Sequence, residues 1–369
     1  MLKFFAMVYN VIGTMSGSSL DGLDIVFAEL TEVRGQWTYA IRAAESLPYE
    51  PEWVERLSAA TSLPAREYML LHTDYGHYTG RRILSFIEKN ELDHKVHFIA
   101  SHGHTTFHMP AQRMTAQLGD GAAITAATGL PVITDLRAVD VALGGQGAPI
   151  VPIGEKLLLP GYQFWLNLGG IANISAQLPE RFTAFDVCPA NRVLNELAAA
   201  LHKPYDDGGR LAAGGTVDSP LLGQLNQLDY YKAPWPKSLA NDFGTDTILP
   251  MINALHISVQ GKLRTYVEHI AMQIAEAAKA LKTQMPEGPA GMLVTGGGAF
   301  NTFLVETLQQ HLTPLGITVT VPDEQTISFK EALIMAFIGT LRWRQEENIM
   351  SDVTGASRNS INGALWSSH

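Results

Sequence analysis

One pattern in this chain occurs twice, and it limits the fold more than any other feature. Residues 11–30, VIGTMSGSSLDGLDIVFAEL, and residues 163–178, QFWLNLGGIANISAQL, each set a glycine-bearing turn between two apolar runs. Apolar runs of this length bounded by Gly, Ser, Asn and Asp read as strands. A short turn between two such runs makes them antiparallel neighbours. Downstream of each pair the apolar period lengthens from two residues toward 3.6, the mark of helices. Strands alternating with helices argue for an α/β fold. The recurrence in successive halves argues for two related domains, and 369 residues leave room for both.

The remaining elements follow from the same reading. Strands are expected at 4–13, 22–30 and 37–44, and helices at 52–60 and 66–89, with Met69, Leu70, Ile83, Leu84 and Ile87 as the apolar stripe of the second. VHFIA reads as a short strand leading into SHGHTTFHMP, AQLGDGAAITAATG as a strand end and a helix, and PVITD as a buried strand. In the second half, FTAFDV reads as a strand followed by a helix over about 190–201. Leu263, Tyr266, Val267, Ile270, Ile274, Ala277, Ala278 and Leu281 mark one face of a long helix. GMLVTGGGAFN is a strand, a Gly turn and a helix start, and 330–347 is a further apolar helix. Residues 203–246, rich in Gly, Asp, Pro and Ser, are expected to form a surface excursion near a site.

Charge narrows the function classes. A net charge of −10 argues against a nucleic-acid or anionic-membrane partner. It leaves an anionic ligand open, because backbone N–H groups bind phosphate without net positive charge. The single cysteine, Cys188, allows no intrachain disulfide and no cysteine metal cluster, which fits a reducing compartment. The N-terminal MLKFFAMVYNVIG carries one positive charge and an interrupting Asn10, so it reads as a first strand rather than a signal peptide. No apolar run reaches the roughly 18 residues of a membrane span. A cytoplasmic protein is the expectation.

Several stretches carry candidate chemistry. GTMSGSSLDG lacks the GK[ST] ending of a Walker loop and no helix follows it. Its glycines nonetheless free backbone donors to face phosphate oxygens, Ser16, Ser18 and Ser19 add hydroxyls, and Asp21 can orient a metal-bound water. A serine-rich hairpin is the alternative. In SHGHTTFHMP, His102 and His104 stand on one side of an extended segment with His108 nearby, which suits a sugar contact, a metal or simply a satisfied loop. Asp120, Asp135, Arg137 and Asp140 lie near strand ends, where open α/β sheets place ligands. Asp135 and Arg137 can equally form a structural bridge. Asp186 follows a short apolar strand and precedes a helix, as a general base or a helix cap would. Cys188 beside it reads as a buried structural thiol. In TGGGAFN, Gly297 and Gly298 let the backbone approach a nucleotide closely at a helix start.

In order, IGTMSGSSLDGLDIV, SHGHTTFHMP, QLGDGAAITAATGLPVITDLRAVDVALGGQGAPIVP, NLGGIANIS, FDVCPANRVLNEL, PKS and TGGGAFN resemble the anhydro-N-acetylmuramic acid kinase family, within the actin-like ATPase and sugar-kinase superfamily. The resemblance covers nearly the whole chain. It implies two actin-like (ribonuclease H-like) domains, each a mixed sheet flanked by helices, with the active-site cleft between them. On this reading residues 1–140 with about 345–369 form one domain and 141–344 the other. The implied reaction uses ATP and Mg²⁺ to phosphorylate the 6-hydroxyl of 1,6-anhydro-N-acetylmuramic acid while water opens the anhydro ring. The product is N-acetylmuramic acid 6-phosphate, a step in peptidoglycan recycling. Gly17, Ser18, Ser19, Leu20, Asp21 and Gly22 match the first phosphate loop, and Gly296, Gly297 and Gly298 the second nucleotide turn. Asp186 matches the catalytic aspartate. His102, Gln117, Asp120, Arg137 and Glu331 lie in segments resembling the sugar side and cleft lining. A homodimer is implied, with a small amino sugar as the only other partner.

The chain departs from the family pattern where FDTGPGN becomes FDVCPAN, SHGQT becomes SHGHT, and the PKSTGRE-like stretch becomes PKSLANDFG. These changes surround the sugar. A related anhydro sugar, a nucleotide-binding sensor without turnover, and an anhydro-sugar hydrolase are therefore the alternatives.

Overall fold

The computed structural model describes residues 6–17, 19–235, 237–240 and 242–367. Phe4 and Phe5 of the expected first strand, and Ser18 of the first loop, lie outside the described residues. Contacts divide the chain into two compact units, Met1–Pro160 with Phe329–His369, and Gly161–Ser328. These boundaries differ from the expected 140 and 344 because two helices fasten to the first unit. In the helix Glu324–Trp343, Lys330 donates to Glu155 of the helix Pro152–Leu158 at 2.9 Å, both side chains being buried. The same helix lies so close to the first strand that a Cβ on Gly13 would stand 2.1 Å from the Ala332 carbonyl oxygen.

The first unit is built on seven strands: β1 Met7–Ser16, β2 Gly22–Val33, β3 Gln36–Pro48, β4 Phe98–Met109, β5 Met114–Leu118, β6 Val132–Thr134 and, last in sequence, β12 Ala364–Trp366. Their order is β12-β6-β4-β1-β2-β3, with β5 paired to β4. β1, β2 and β3 run antiparallel, whereas β4 is parallel to both β1 and β6. Ile12, Ile25 and Ile99 face a core completed by Tyr75, Ile83 and Phe86 of the helix Ala65–Lys89. The buried stripe of that helix is Leu71, Tyr75, Tyr78, Ile83, Phe86 and Ile87. Met69 and Leu70, expected on the stripe, are 57% and 58% exposed, because the bulky Leu71–Tyr75–Tyr78 series sets the phase of the helix and turns them outward.

The second unit holds β7 Phe164–Leu168, β8 Ile171–Gln177, β9 Phe182–Pro189, β10 Ala290–Thr295 and β11 Ile317–Thr320, in the order β11-β10-β7-β8-β9. β7 and β8 form the second hairpin, turning through Gly169 and Gly170. The long helix Val259–Lys282 begins where Ser258 accepts the Gly261 amide, and it buries Leu263, Tyr266, Val267, Ile270, Ile274, Ala278 and Leu281 at helical spacing. Residues 203–246, expected as a surface excursion near a site, do reach Asp186 through Tyr230, Lys237 and Leu239, and their described residues carry more helix than expected. They fold into short helices, among them Ser219–Asn226 and Asp229–Lys232, because Leu221 and Leu225 reach the core. The protein is therefore α/β, with two mixed sheets flanked by helices, the class its pattern of elements leads one to expect.

Two buried histidines make stability depend on pH. Burial lowers the pKa of His102 and His269 to about 3, with Arg137 adding to the effect at His102. The unfolded chain takes up both protons near pH 6.5, so it binds more protons than the folded chain below that value. Stability is full above about pH 6.5 and falls as pH drops toward 3. Urea unfolding at about pH 5 should give a lower midpoint than at about pH 7, and His269→Gln should reduce the difference. Equal midpoints would contradict this.

Candidate functional site

In the first unit the loop between β1 and β2 begins where the two strands part. Ser19 Oγ donates to Asp21 Oδ1 at 2.8 Å, and the Leu20 amide meets the Gly17 carbonyl at 3.4 Å. Leu20 adopts φ +58, a left-handed conformation costly for a branched side chain, so the loop is held in a sparsely populated shape. Gly22 is required by packing: a Cβ there would stand 2.5 Å from the Leu47 carbonyl oxygen of β3. Asp21 is exposed and Asp24 half-buried. Burial raises the pKa of Asp24, and the nearby carboxylates of Asp21 and Glu331 add to the rise.

The end of β1 is fixed from behind by a chain of hydrogen bonds that residue spacing does not disclose. Ser16 Oγ lies 2.9 Å from His104 Nδ1 and accepts from the Tyr49 hydroxyl at 2.7 Å, and Tyr49 and Tyr75 share a hydroxyl contact at 2.5 Å. All four side chains are buried. Ser16 and His104 stand out in the sequence, but nothing there joins them to Tyr49 and Tyr75.

β4 runs through to Met109, so the SHGHTTFHM stretch is strand and not a loop beyond a short one. Gly103 has φ +73 and breaks the alternation, which sends the two imidazoles to different partners. His104 goes to Ser16. His102 Nε2 accepts from Arg137 Nε at 2.8 Å, which fixes Nδ1–H toward the Gly103 carbonyl 2.9 Å away. The two imidazoles thus differ in partner, while His104 still bears electrostatically on His102. Arg137 also donates to the Gly147 carbonyl at 2.5 Å. Burial lowers the Arg137 pKa to about 10, while Glu331 and Asp140 oppose the change. Asp140 is buried, accepting from the Gly147 amide at 2.8 Å and from Thr354 Oγ1 at 2.7 Å.

The structure therefore brings His102, Arg137 and Glu331 together, the last through charge rather than a hydrogen bond. Gln117 and Asp120 are engaged elsewhere. Gln117 Nε2 donates to Thr115 Oγ1 at 2.8 Å, and Asp120 accepts the Ala122 amide at 3.0 Å as the cap of the helix Gly121–Thr128. Asp135 accepts from Thr134 Oγ1 at 3.0 Å rather than from Arg137.

In the second unit Asp186 is the one half-buried residue of an otherwise buried β9. A bulge between the Asn173–Asp186 and Ala172–Cys188 pairs leaves Val187 extra, and bulges re-aim neighbouring side chains. Asp186 Oδ2 accepts the Leu239 amide at 2.9 Å, while Oδ1 has no hydrogen-bond partner among the described residues. Burial raises the Asp186 pKa and the Leu239 amide partly offsets it. Asp186 does not cap the following helix, which begins at Asn191. Cys188 is wholly buried and its thiol is pushed up by burial, so it is structural.

The Gly turn stands at the same end of this sheet. Strand register aligns Thr295, Asn167, Asn173 and Asp186 in one row across β10, β7, β8 and β9. Three strand spacings make that row about 14 Å long. Gly296 follows directly with φ +81, where a Cβ would stand 2.6 Å from Asn167 Oδ1. A Cβ on Gly298 would meet Leu168 Cβ at 2.7 Å, whereas one on Gly297 would make only an ordinary contact with Asn191 Nδ2 at 3.7 Å. Asn191 Nδ2 donates to the Leu168 carbonyl at 2.9 Å, tying the turn, the second hairpin and the helix Asn191–Ala199 into one cluster. Asn191 was not apparent as a site residue because its partner is a backbone carbonyl, that of Leu168, on another element.

Comparison with known proteins draws these pieces together. The family model described as anhydro-N-acetylmuramic acid kinase matches residues 9–368. A protein of that name from Gloeobacter violaceus is 34% identical over 94% of this chain and 96% of its own length. One from Synechococcus elongatus is 31% identical over 97% of this chain and 99% of its own. One from Aliivibrio fischeri is 32% identical over 96% and 98%.

Proposed function

Because this chain belongs to the anhydro-N-acetylmuramic acid kinase family and is an ATP-dependent anhydro-sugar kinase, we propose that Asp186 is its general base and that Gly296–Gly298 take part in holding the nucleotide. The reaction opens 1,6-anhydro-N-acetylmuramic acid and phosphorylates its 6-hydroxyl. The observation that carries the assignment is the polar row ending in Asp186, which shares its sheet end with the Gly turn.

Asp186 suits the base. One oxygen is anchored by the Leu239 amide and the other has no protein partner among the described residues. As a water oxygen bonds to the anomeric carbon, Oδ1 takes its proton. The bridge C–O bond breaks, and the released 6-oxygen attacks the γ-phosphorus of ATP with ADP as leaving group. A base of this kind contributes roughly 10²–10⁴-fold. His102, buried and neutral, keeps the Arg137 side chain aimed by accepting from Nε. Arg137 with Glu331 is read as the sugar-side charge pair. Gln117 and Asp120 shape that side through their strand and helix cap. Gly17 to Gly22 form the first phosphate loop, with Ser19 tied to Asp21.

Mg²⁺ belongs to this reading. The ion would neutralise phosphate charge and be held mainly by phosphate oxygens and waters, with Asp21 placed to orient a bound water, since no group of three carboxylates or imidazoles among the described residues is arranged to hold it. A cytoplasmic location is supported by dependence on ATP and by the lone, unpaired cysteine. A homodimer is supported by the exposed apolar Met69, Leu70, Met109 and Met114 on the first unit.

The function is tested by incubating the protein with MgATP and 1,6-anhydro-N-acetylmuramic acid and following ADP and the sugar 6-phosphate. Sugar-dependent formation of both is expected. Ring opening without ADP would point to a hydrolase, and nucleotide binding without either product to a sensor. A narrower test is Gly296→Ala. Gly296 sits at φ +81, ψ 165, a region essentially only glycine adopts, so an Ala there costs about 1–3 kcal/mol and reshapes the turn, and KM for ATP should rise roughly tenfold. An unchanged KM would remove that turn from the nucleotide site.

A further inference from the structure

We propose that Tyr230, clamped by Lys237, is a positioning residue that holds Asp186 in the orientation its base role requires. The inference rests on the reading of Asp186 as the base.

Three hydrogen bonds join one short stretch of chain to this one residue. The Tyr230 hydroxyl donates to the Asp186 carbonyl at 2.7 Å. The Asp186 amide donates to the Lys237 carbonyl at 3.0 Å, and the Leu239 amide donates to Asp186 Oδ2 at 2.9 Å. Asp186 is on the sheet edge, where a β9 residue has no further strand to take its backbone groups. Tyr230, Lys237 and Leu239 therefore act in place of a neighbouring strand at this single position, and the Leu239 amide also grips the carboxylate.

Tyr230 is itself held on two sides. Lys237 Nζ sits 4.5 Å from the centre of its ring and donates to its carbonyl at 2.8 Å, with a second contact to the Tyr231 carbonyl at 3.4 Å. The ammonium thus closes the helix Asp229–Lys232 at its carbonyl end, where positive charge is favoured. Tyr231 continues the anchor inward. Its hydroxyl donates to His269 Nε2 at 2.9 Å, since His269 Nδ1 must donate to Asn226 Oδ1, 2.6 Å away, which also accepts from Gln273. A surface stretch is so fixed to the buried helix Val259–Lys282.

The arrangement separates two jobs on Tyr230. The ring carries the stacking with Lys237, while the hydroxyl alone touches Asp186. Tyr230→Phe removes the second and keeps the first. Loss of that bond loosens the stretch and with it the Leu239 amide, whose bond favours the charged carboxylate. The charged or titratable groups that bear on this corner are Tyr230, Lys237 and Cys188, and the last is buried and neutral.

The test compares Tyr230→Phe, Lys237→Met and Asp186→Asn in the full-length protein with MgATP and the anhydro sugar. Tyr230→Phe should lower kcat roughly tenfold, the size of one lost geometric restraint. It should leave KM for ATP and the urea midpoint close to wild type, and move the acid limb of the kcat/KM profile to higher pH. Lys237→Met should act in the same direction. A Tyr230→Phe enzyme with wild-type kcat and an unmoved acid limb, beside an inactive Asp186→Asn, would overturn the positioning role while leaving Asp186 as base. An active Asp186→Asn would instead overturn the reading on which the inference rests.

Discussion

Asp186→Asn is expected to lower kcat for the anhydro sugar by roughly 10²–10⁴-fold, the contribution of the general base we propose it to be. The amide keeps the shape of the side chain and can still accept the Leu239 amide hydrogen bond, so fold and ATP binding persist. What is lost is the proton acceptor. The wild-type profile carries the same assignment. Burial raises the Asp186 pKa, so its base form is lost as pH falls through a value above that of an ordinary aspartate. The acid limb of kcat/KM should therefore lie above the ordinary carboxylate range and vanish in whatever residual activity Asp186→Asn retains. Activity within about tenfold of wild type would remove Asp186 from the mechanism.

The second large effect is on the fold. Gly13→Ala should cost about 3 kcal/mol or more, at the upper end of what overpacking a core produces. The new Cβ would stand 2.1 Å from the Ala332 carbonyl oxygen and 2.8 Å from Ala336 Cβ. Neither obstacle is a flexible side-chain tip, so the helix Glu324–Trp343 must move off β1 as a body. That helix also carries Glu331, which bears on Arg137, and the Lys330 partner of Glu155, so the strain spreads to those charges. Urea unfolding monitored by far-UV circular dichroism reads the loss directly. A midpoint within the error of wild type would mean that the helix and β1 are not in contact at Gly13.

Much of this was legible in the residues. The two hairpins are the two repeated glycine turns, and the long helix Val259–Lys282 follows its own apolar period because it is long enough for the pattern to accumulate. Asp186 stood out because a carboxylate after an apolar strand is unusual. Other features depend on contacts that sequence spacing does not encode. Met69 and Leu70 belong to the expected stripe by composition, yet the larger Tyr75 and Tyr78 decide which face is buried. His102 and His104 look like a pair, yet one bonds to Arg137 and the other to Ser16, partners that residue spacing does not reveal. The stretch 203–246 reads as irregular because its helices are short, and Tyr230 becomes noticeable only when β9 proves to be an edge strand. The return of the last segment to the first unit shows in contacts such as Gly13 with Ala332 and Lys330 with Glu155, which residue spacing does not reveal.

The most direct test of the central claim is a single turnover in ¹⁸O-labelled water with MgATP and 1,6-anhydro-N-acetylmuramic acid, read by mass spectrometry of the products. The account predicts one heavy oxygen on the anomeric carbon of the sugar 6-phosphate, ADP in equal amount, and an unlabelled phosphoryl group. Heavy oxygen in free phosphate with the anhydro ring intact would contradict it.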